Sequence, residues 1–290
     1  MSNAATQTQY VVTLEVPAQR AEELAQWLVD EWDLMPVQLA RPGSERSWLE
    51  IYFSDKREAQ ASATALAQRE GVFAVQIRRC EPRDWLSFWR LHFHPHDIGN
   101  RLHICPVWQK PAGPKGKRKT ILVDPGPSFG TGDHFTTRFC LEMIDRLSTK
   151  APPMTMLDVG TGSGILAIAA AKLGCPDALG VDNDEMALTQ AVRNIRLNRV
   201  TKQVGLDVVD INDRGFKRRF DLVCANIVSQ VLIDVAPKLV RATKRHLVLS
   251  GIREHEVDAV ADVYMAHGGR EVVRDGDGEW AGIMLAFGKK

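Results

Sequence analysis

MTMLDVGTGSGILAIAAAKLG, residues 154–174, is the stretch on which the fold turns. Met154 to Val159 form a short apolar run that enters three glycines at alternate positions, Gly160, Gly162 and Gly164. An apolar segment of helical composition follows over 163–173. The pattern is strand, sharp turn, helix. It repeats downstream: ALGVD (178–182), VGLDVVD (204–210), FDLVCAN (220–226) and HLVLSG (246–251) read as strands, with helices over 184–198, 228–243 and 253–267. Such alternation implies a parallel sheet with right-handed crossovers. Arg270 to Phe287 adds two strands around the turn Asp275-Gly276-Asp277-Gly278, for seven in all. An open α/β sheet binds its ligand beyond the carboxyl ends of its strands, so the chemistry is expected there.

Upstream the rhythm differs. Strands over 10–16, 36–41, 47–53 and 72–79 and helices over 18–33 and 55–70 give the order βαββαβ. This is the split-βαβ pattern of a ferredoxin-like domain. The run KPAGPKGKRK (110–119), with five basic residues and no acid, reads as an exposed loop. The expected division is a ferredoxin-like domain over 1–82, a linker helix and connecting segment over 83–119, and an α/β domain over 120–290. Trp85 and Trp89, one helical turn apart, would anchor the linker helix.

The chain has 290 residues, about two domains at ~150 residues each. Hydrophobic residues at 44% and charged residues at 25% exclude a largely disordered chain. The longest apolar run, Ile165 to Ala171, is far short of the ~18 residues a membrane span needs. The first ten residues carry no secretory pattern. Cys80, Cys105, Cys140, Cys175 and Cys224 are scattered, with no C-x-x-C pair, which points to a reducing cytoplasm. His92, His94 and His96 alternate, but Pro95 breaks the run and no cysteine completes a ligand set, so no metal is expected. Net charge is +1, divided as −4 over residues 1–85 and +5 over the rest. That gives no global pull toward nucleic acid. The basic run Arg214, Lys217, Arg218 and Arg219 reads as a solvated loop.

Asp158-Val-Gly160-Thr-Gly162-Ser-Gly164 has G-x-G-x-G spacing, not the G-x-G-x-x-G of dinucleotide sites, and no P-loop run occurs. Asp182 follows Gly160 by 22 residues, close to the ~20 at which an acidic side chain meets ribose hydroxyls. Asp184 competes for that role but precedes a helix and suits an N-cap. The fourth strand ends in Asn226, where the enzymes that this site resembles keep their reacting groups, and no Pro-Pro-aromatic follows it. A nucleoside site without a diphosphate resembles that of an S-adenosylmethionine methyltransferase.

The segment DPGPSFGTGDHFTT (124–137) is too rich in glycine and threonine to pack a core and suits a loop over a ligand, with a helix opening at about Thr137. It resembles the corresponding loop of the ribosomal-protein methyltransferase family PrmA, which modifies protein eleven of the large subunit. The resemblance continues through 157–174, VDNDEMAL (181–188), VCANIVSQVL (223–232), LSGI (249–252) and GEW (278–280), and reaches back over 84–108. Thr161 stands where the family often has cysteine, and Phe135 where proline is common. The first 80 residues match poorly.

The resemblance implies a Rossmann-like class I methyltransferase core. Its cofactor, S-adenosyl-L-methionine, would lie against Phe129, Gly130, Thr131, Gly132, Thr137, Gly160, Gly162, Asp182 and Asn226, with Thr136 the alternative to Thr137. Asn226 would be the catalytic residue, orienting an amine through its carbonyl. Asp133 and His134 are lesser candidates for proton handling. The expected reaction is N-methylation of lysine or N-terminal amines of a ribosomal protein by a monomeric, cytoplasmic enzyme needing neither membrane nor direct nucleic-acid contact. A methyltransferase acting on RNA or a small molecule, and a non-catalytic ribosome-binding module, are the competing readings.

Overall fold

The computed structural model describes residues 9–32, 34, 36–40, 44–53, 55–80, 93–109, 116, 118–124, 132 and 134–288. The chain divides into two compact units, Met1–Leu91 and His92–Lys290.

In the first unit the order is β1 (Gln9–Pro17), α1 (Ala21–Trp32), β2 (Val37–Ala40), β3 (Arg46–Phe53), α2 (Lys56–Leu66) and β4 (Ala74–Cys80). The strands align as β2-β3-β1-β4, every neighbouring pair antiparallel. Alternate side chains Val12, Leu14 and Val16 of β1 and Leu49, Ile51 and Phe53 of β3 share one face. Ala21, Leu24 and Leu28 of α1 and Ala59, Ala63 and Leu66 of α2 cover that face. Asp55 caps α2, accepting from the amides of Arg57 (2.7 Å) and Glu58 (3.0 Å).

The second unit opens with β5 (His96–Ile98), β6 (Leu102–Pro106) and β7 (Lys119–Val123), β6 lying between the other two. Within the expected connecting segment, 96–98 and 102–106 are thus strands, with Ile98, Leu102 and Ile104 buried. Then follow α3 (Phe135–Leu147), β8 (Thr155–Val159), α4 (Ile165–Lys172), β9 (Asp177–Asp182), α5 (Glu185–Leu197), β10 (Val204–Val208), β11 (Phe220–Asn226), α6 (Ser229–Asp234), α7 (Ala236–Ala242), β12 (Thr243–Arg253), α8 (Val257–Ala266), β13 (Arg270–Gly276) and β14 (Trp280–Ala286).

The large sheet runs β10-β9-β8-β11-β12-β14-β13. Its first five strands are parallel, and the terminal hairpin is antiparallel, with β14 against β12. From β8 the chain builds outward to β10, then crosses back to β11. Strand order reverses there, so the crevice for a ligand opens beyond the carboxyl ends of β8 and β11. Helix α4 buries Ile165, Leu166, Ala167, Ile168, Ala169 and Ala170, as befits a helix apolar all round. Gly282 admits α3 to the sheet: a Cβ there would lie 2.3 Å from the Phe139 ring.

Two boundaries differ from expectation. The span 228–243 is two helices, since Pro237 falls at the start of α7 and supplies no amide to continue the preceding ladder. Helix α3 begins at Phe135, with His134 as its N-cap, so Thr137 lies inside the first turn.

Candidate active site

The three glycines after β8 have φ of 69°, 51° and 80°, left-handed conformations that disfavour a side chain. The turn is stitched to the next strand: the amides of Gly160 (2.9 Å) and Thr161 (3.0 Å) donate to the carbonyl of Val181. Gly162 N donates to Asp182 Oδ2 at 2.9 Å, and Gly164 N to Thr161 O at 2.8 Å. These amides serve the turn itself, so the glycines offer a ligand close approach more than donors. At Gly160 a Cβ would meet Ile227 Cγ2 at 2.5 Å, which shows how tightly the ends of β8 and β11 abut.

Asp182 ends β9 half-buried. Its Oδ1 accepts from Asp184 N at 3.1 Å and its Oδ2 from Gly162 N, and each carboxylate oxygen keeps a further lone pair. Asp184 caps α5 through Met186 N at 2.7 Å, so its side chain is occupied as the spacing predicted.

Asn226 ends β11, and its Nδ2 donates to Thr137 Oγ1 at 3.4 Å. Two expected site residues 89 positions apart therefore meet, and the Asn226 carbonyl is left as an acceptor. Thr136 and Thr137 are each 1% exposed. Thr136 is bound to His134, whose Nδ1 lies 2.8 Å from Thr136 Oγ1 and 3.4 Å from Thr136 N. Burial lowers the His134 pKa, with Glu279 and Asp277 opposing the shift and Arg253 adding to it. Facing Thr136 through Nδ1, His134 is the N-cap of α3. Trp280 of the GEW motif meets the His134 ring edge-on at 5.2 Å, and Arg253 lies over Trp280 at 4.1 Å.

Asp158, two residues before Gly160 in β8, is fully buried. Its Oδ2 accepts from Thr161 Oγ1 (2.7 Å) and Ala167 N (3.2 Å), while Oδ1 has no partner among the described residues. Burial pushes its pKa up to about 6. The motif shape drew attention to the glycines and away from this carboxylate.

Phe129, Gly130, Thr131 and Asp133 lie outside the described residues, as do His92, Trp85 and Trp89. Gly132 is described, with φ 92°. His96 Nδ1 lies 3.0 Å from the His94 carbonyl. The basic run Arg214, Lys217, Arg218 and Arg219 is exposed, and two of its members also bond within the protein. Arg218 pairs with Asp177 at 2.6 Å and covers Phe220, and Arg219 donates to Thr243 O. Arg118, from the basic loop, donates to the carbonyls of Gly99 and Leu102. No helix among the described residues is long and apolar enough to cross a membrane.

A sheet of this order, with a glycine turn after the first parallel strand and an acid ending the second, defines a class I S-adenosylmethionine-dependent methyltransferase. More narrowly, the chain belongs to the family described as ribosomal protein L11 methyltransferase (PrmA), which matches residues 3–287. A ribosomal protein L11 methyltransferase from Syntrophotalea carbinolica is 38% identical over 233 residues, 76% of this chain and 75% of that protein. One from Trichlorobacter lovleyi is 37% identical over 271 residues, 84% and 87% of the respective chains. The crystal structure of a ribosomal protein L11 methylase from Lactobacillus delbrueckii subsp. bulgaricus superposes with a TM-score of 0.61 at 30% identity, covering 67% of this chain and 98% of that one.

Proposed function

We infer that this protein is an S-adenosylmethionine-dependent N-methyltransferase that modifies ribosomal protein L11 on lysine or N-terminal amines. The observation that carries the reading is the convergence, at one sheet edge, of the glycine turn, Asp182 and the Asn226–Thr137 pair. The unpartnered Oδ1 of buried Asp158 supports the cofactor assignment: a cation brought close would favour its ionised form. Asp182 would hold the ribose hydroxyls, and the first turn of α3, with Thr136 and Thr137, would hold the methionine carboxylate, since a helix start favours an anion. When bound, S-adenosylmethionine supplies a methyl group on a sulfonium that is already a good leaving group.

The task left to the protein is to present a neutral amine in line. Making a lysine of pKa ~10.4 neutral at pH ~7 costs about 4.6 kcal/mol, and desolvation in the crevice lowers that cost. With its Nδ2 committed to Thr137, Asn226 turns its carbonyl to accept from the amine and fix its direction of approach. Holding the nucleophile in line supplies several kcal/mol more.

The N-terminal unit, with its own core and β2-β3-β1-β4 order, is assigned to substrate recognition as a ferredoxin-like domain over residues 1–82. The enzyme is assigned to the cytoplasm as a monomer that needs no direct nucleic-acid contact. The test is methyl incorporation from labelled S-adenosylmethionine into purified L11 and, separately, into ribosomal RNA, with mass spectrometry of the modified residues. Label on L11 amines supports the reading. Label on RNA alone overturns it in favour of an RNA methyltransferase, and cofactor binding without label in either overturns catalysis.

A further inference from the structure

Helix α5 and its C-cap Asn198 present three buried amides spaced four apart: Gln190 is 3%, Asn194 1% and Asn198 3% exposed. All three reach toward β7. Asn198 Oδ1 accepts from Leu122 N at 2.9 Å, and its Nδ2 donates to Leu122 O at 2.7 Å. Asn194 repeats the arrangement two residues along, accepting from Asp124 N at 2.9 Å and donating to Asp124 O at 3.2 Å. Gln190 Nε2 adds a third bond, to Asp124 O at 2.6 Å.

The geometry has a simple cause. Outward backbone groups of one strand edge recur every second residue, ~6.6 Å apart, and residues four apart on a helix rise ~6 Å. Side-chain amides at i and i+4 can therefore imitate the ladder of a neighbouring strand. Strand β7 is hydrogen-bonded to β6 on one edge, and α5 takes the other edge in place of a strand.

Asn194 does one thing that Asn198 does not. Its Nδ2 also donates to Ser163 O at 2.9 Å, and Ser163 lies between Gly162 and Gly164 in the glycine turn. A single buried amide thus ties together two segments distant in sequence. One is the end of β7, from which the chain runs on to Thr136 and Thr137, and the other is the turn beneath Gly160. Asn198 spends its corresponding bond on the carbonyl of Asn194, within its own helix, at 2.9 Å.

We propose that Asn194 is a positioning residue for cofactor binding, which sets the glycine turn against the end of β7 through its joint hold on Ser163 and Asp124. This rests on the reading of the glycine turn and the Thr136–Thr137 turn as cofactor walls. Asn198 supplies the internal comparison, because it makes two bonds to Leu122, as Asn194 does to Asp124, and none to the turn.

The test uses the full chain and three readouts: thermal midpoint, calorimetric Kd for S-adenosylmethionine, and methyl transfer to L11 at limiting and at saturating cofactor. Asn198→Ala is expected to lower the midpoint while leaving Kd within about twofold. Asn194→Ala is expected to lower the midpoint similarly but to raise Kd about tenfold, ~1.4 kcal/mol. The loss should appear in KM for cofactor, with kcat largely retained at saturation. Asn194→Asp is the second variant: it conserves shape, keeps an acceptor for Asp124 N, and turns an acceptor oxygen toward two carbonyls, so it should raise Kd as well. Equal effects of the Asn194 and Asn198 variants on Kd, or no effect of either, would overturn the proposal. So would a failure of both Asn194 variants to fold, which would make the residue purely structural. Asp182→Ala, measured alongside, separates the two levels: if it too leaves Kd unchanged, the reading of the site itself has failed.

Discussion

Removing the Asp182 carboxylate is the sharpest test of the cofactor site. The side chain does two jobs. Its oxygens hold the amides of Gly162 at 2.9 Å and Asp184 at 3.1 Å, and the remaining lone pairs face outward from the end of β9. Bonds to a charged acceptor are worth ~1.5–3 kcal/mol each, but both amides lie near solvent and water replaces part of the loss. Asp182→Ala should therefore reduce folding stability by only about 1–2 kcal/mol. Cofactor binding should suffer more. The ribose hydroxyls lose a charged acceptor, ~1.5–3 kcal/mol, and Kd rises roughly tenfold to a hundredfold. Asp182→Asn should fall between, because a neutral amide keeps one acceptor and points its N–H₂ at an amide donor. The assay is calorimetric Kd for S-adenosylmethionine at a temperature well below each variant's thermal midpoint. A folded Asp182→Ala protein with unchanged Kd would refute the assignment. The ribose contact would then pass to Asp184, which would have to release its 2.7 Å cap on Met186 N.

Asn226→Ala should lower saturated turnover by about 2–4 kcal/mol, a thirtyfold loss or more, while affecting cofactor Kd less. Single-turnover rates from about pH 7 to 10 should show little recovery, since the amide orients and does not take a proton; affinity collapsing with turnover intact would make Asn226 a cofactor contact only. For Asp158, the folded pKa of about 6 lies above the ordinary 3.8, so the folded protein binds the extra proton. Its contribution to stability is present at low pH and is lost as pH rises through that window, by up to roughly 3 kcal/mol. Cofactor binding near pH ~6 should consequently release protons, and calorimetry in buffers of different ionisation enthalpy should detect this in the wild type and not in Asp158→Asn. Arg101→Ala should cost about 2–4 kcal/mol in urea unfolding, because Asp145, at 4% side-chain exposure, loses the 2.9 Å partner that neutralises it; a loss below about 1 kcal/mol would mean that the Asn100 amide suffices.

The elements legible in the sequence are those whose cause is local. Alternate glycines after an apolar run, an acid about 20 residues further on and an asparagine ending a later strand are positions along the chain. Strand ends of a parallel sheet gather on one edge without further information. Asp184 was legible as a cap for the same reason: its bond to Met186 N spans two residues. Helix α3 starts two residues before the expected Thr137 because His134 supplies its cap, a role its residue type does not advertise. The expected single helix over 228–243 breaks at Val235, and Pro237 in the first turn of α7 is the local cause.

What escaped the sequence was set by partners far away in it. Arg101 holds Asp145 across 44 residues, and Asn194 holds Asp124 across 70; nothing near either residue marks it as more than an ordinary surface-capable side chain. Three amides spaced four apart on an amphipathic helix look like part of its polar face. They become the buried face only because β7 lies there with an open edge, and an open edge is a property of the sheet, not of the strand. Asp158 escaped for the complementary reason. An acid next to a glycine turn suggests a surface ligand contact, yet β8 is central in the sheet and burial alone raises that carboxyl to about 6. The chemistry of the site thus depends on two layers: strand-end residues that sequence spacing can locate, and buried polar residues beneath them whose role follows from topology.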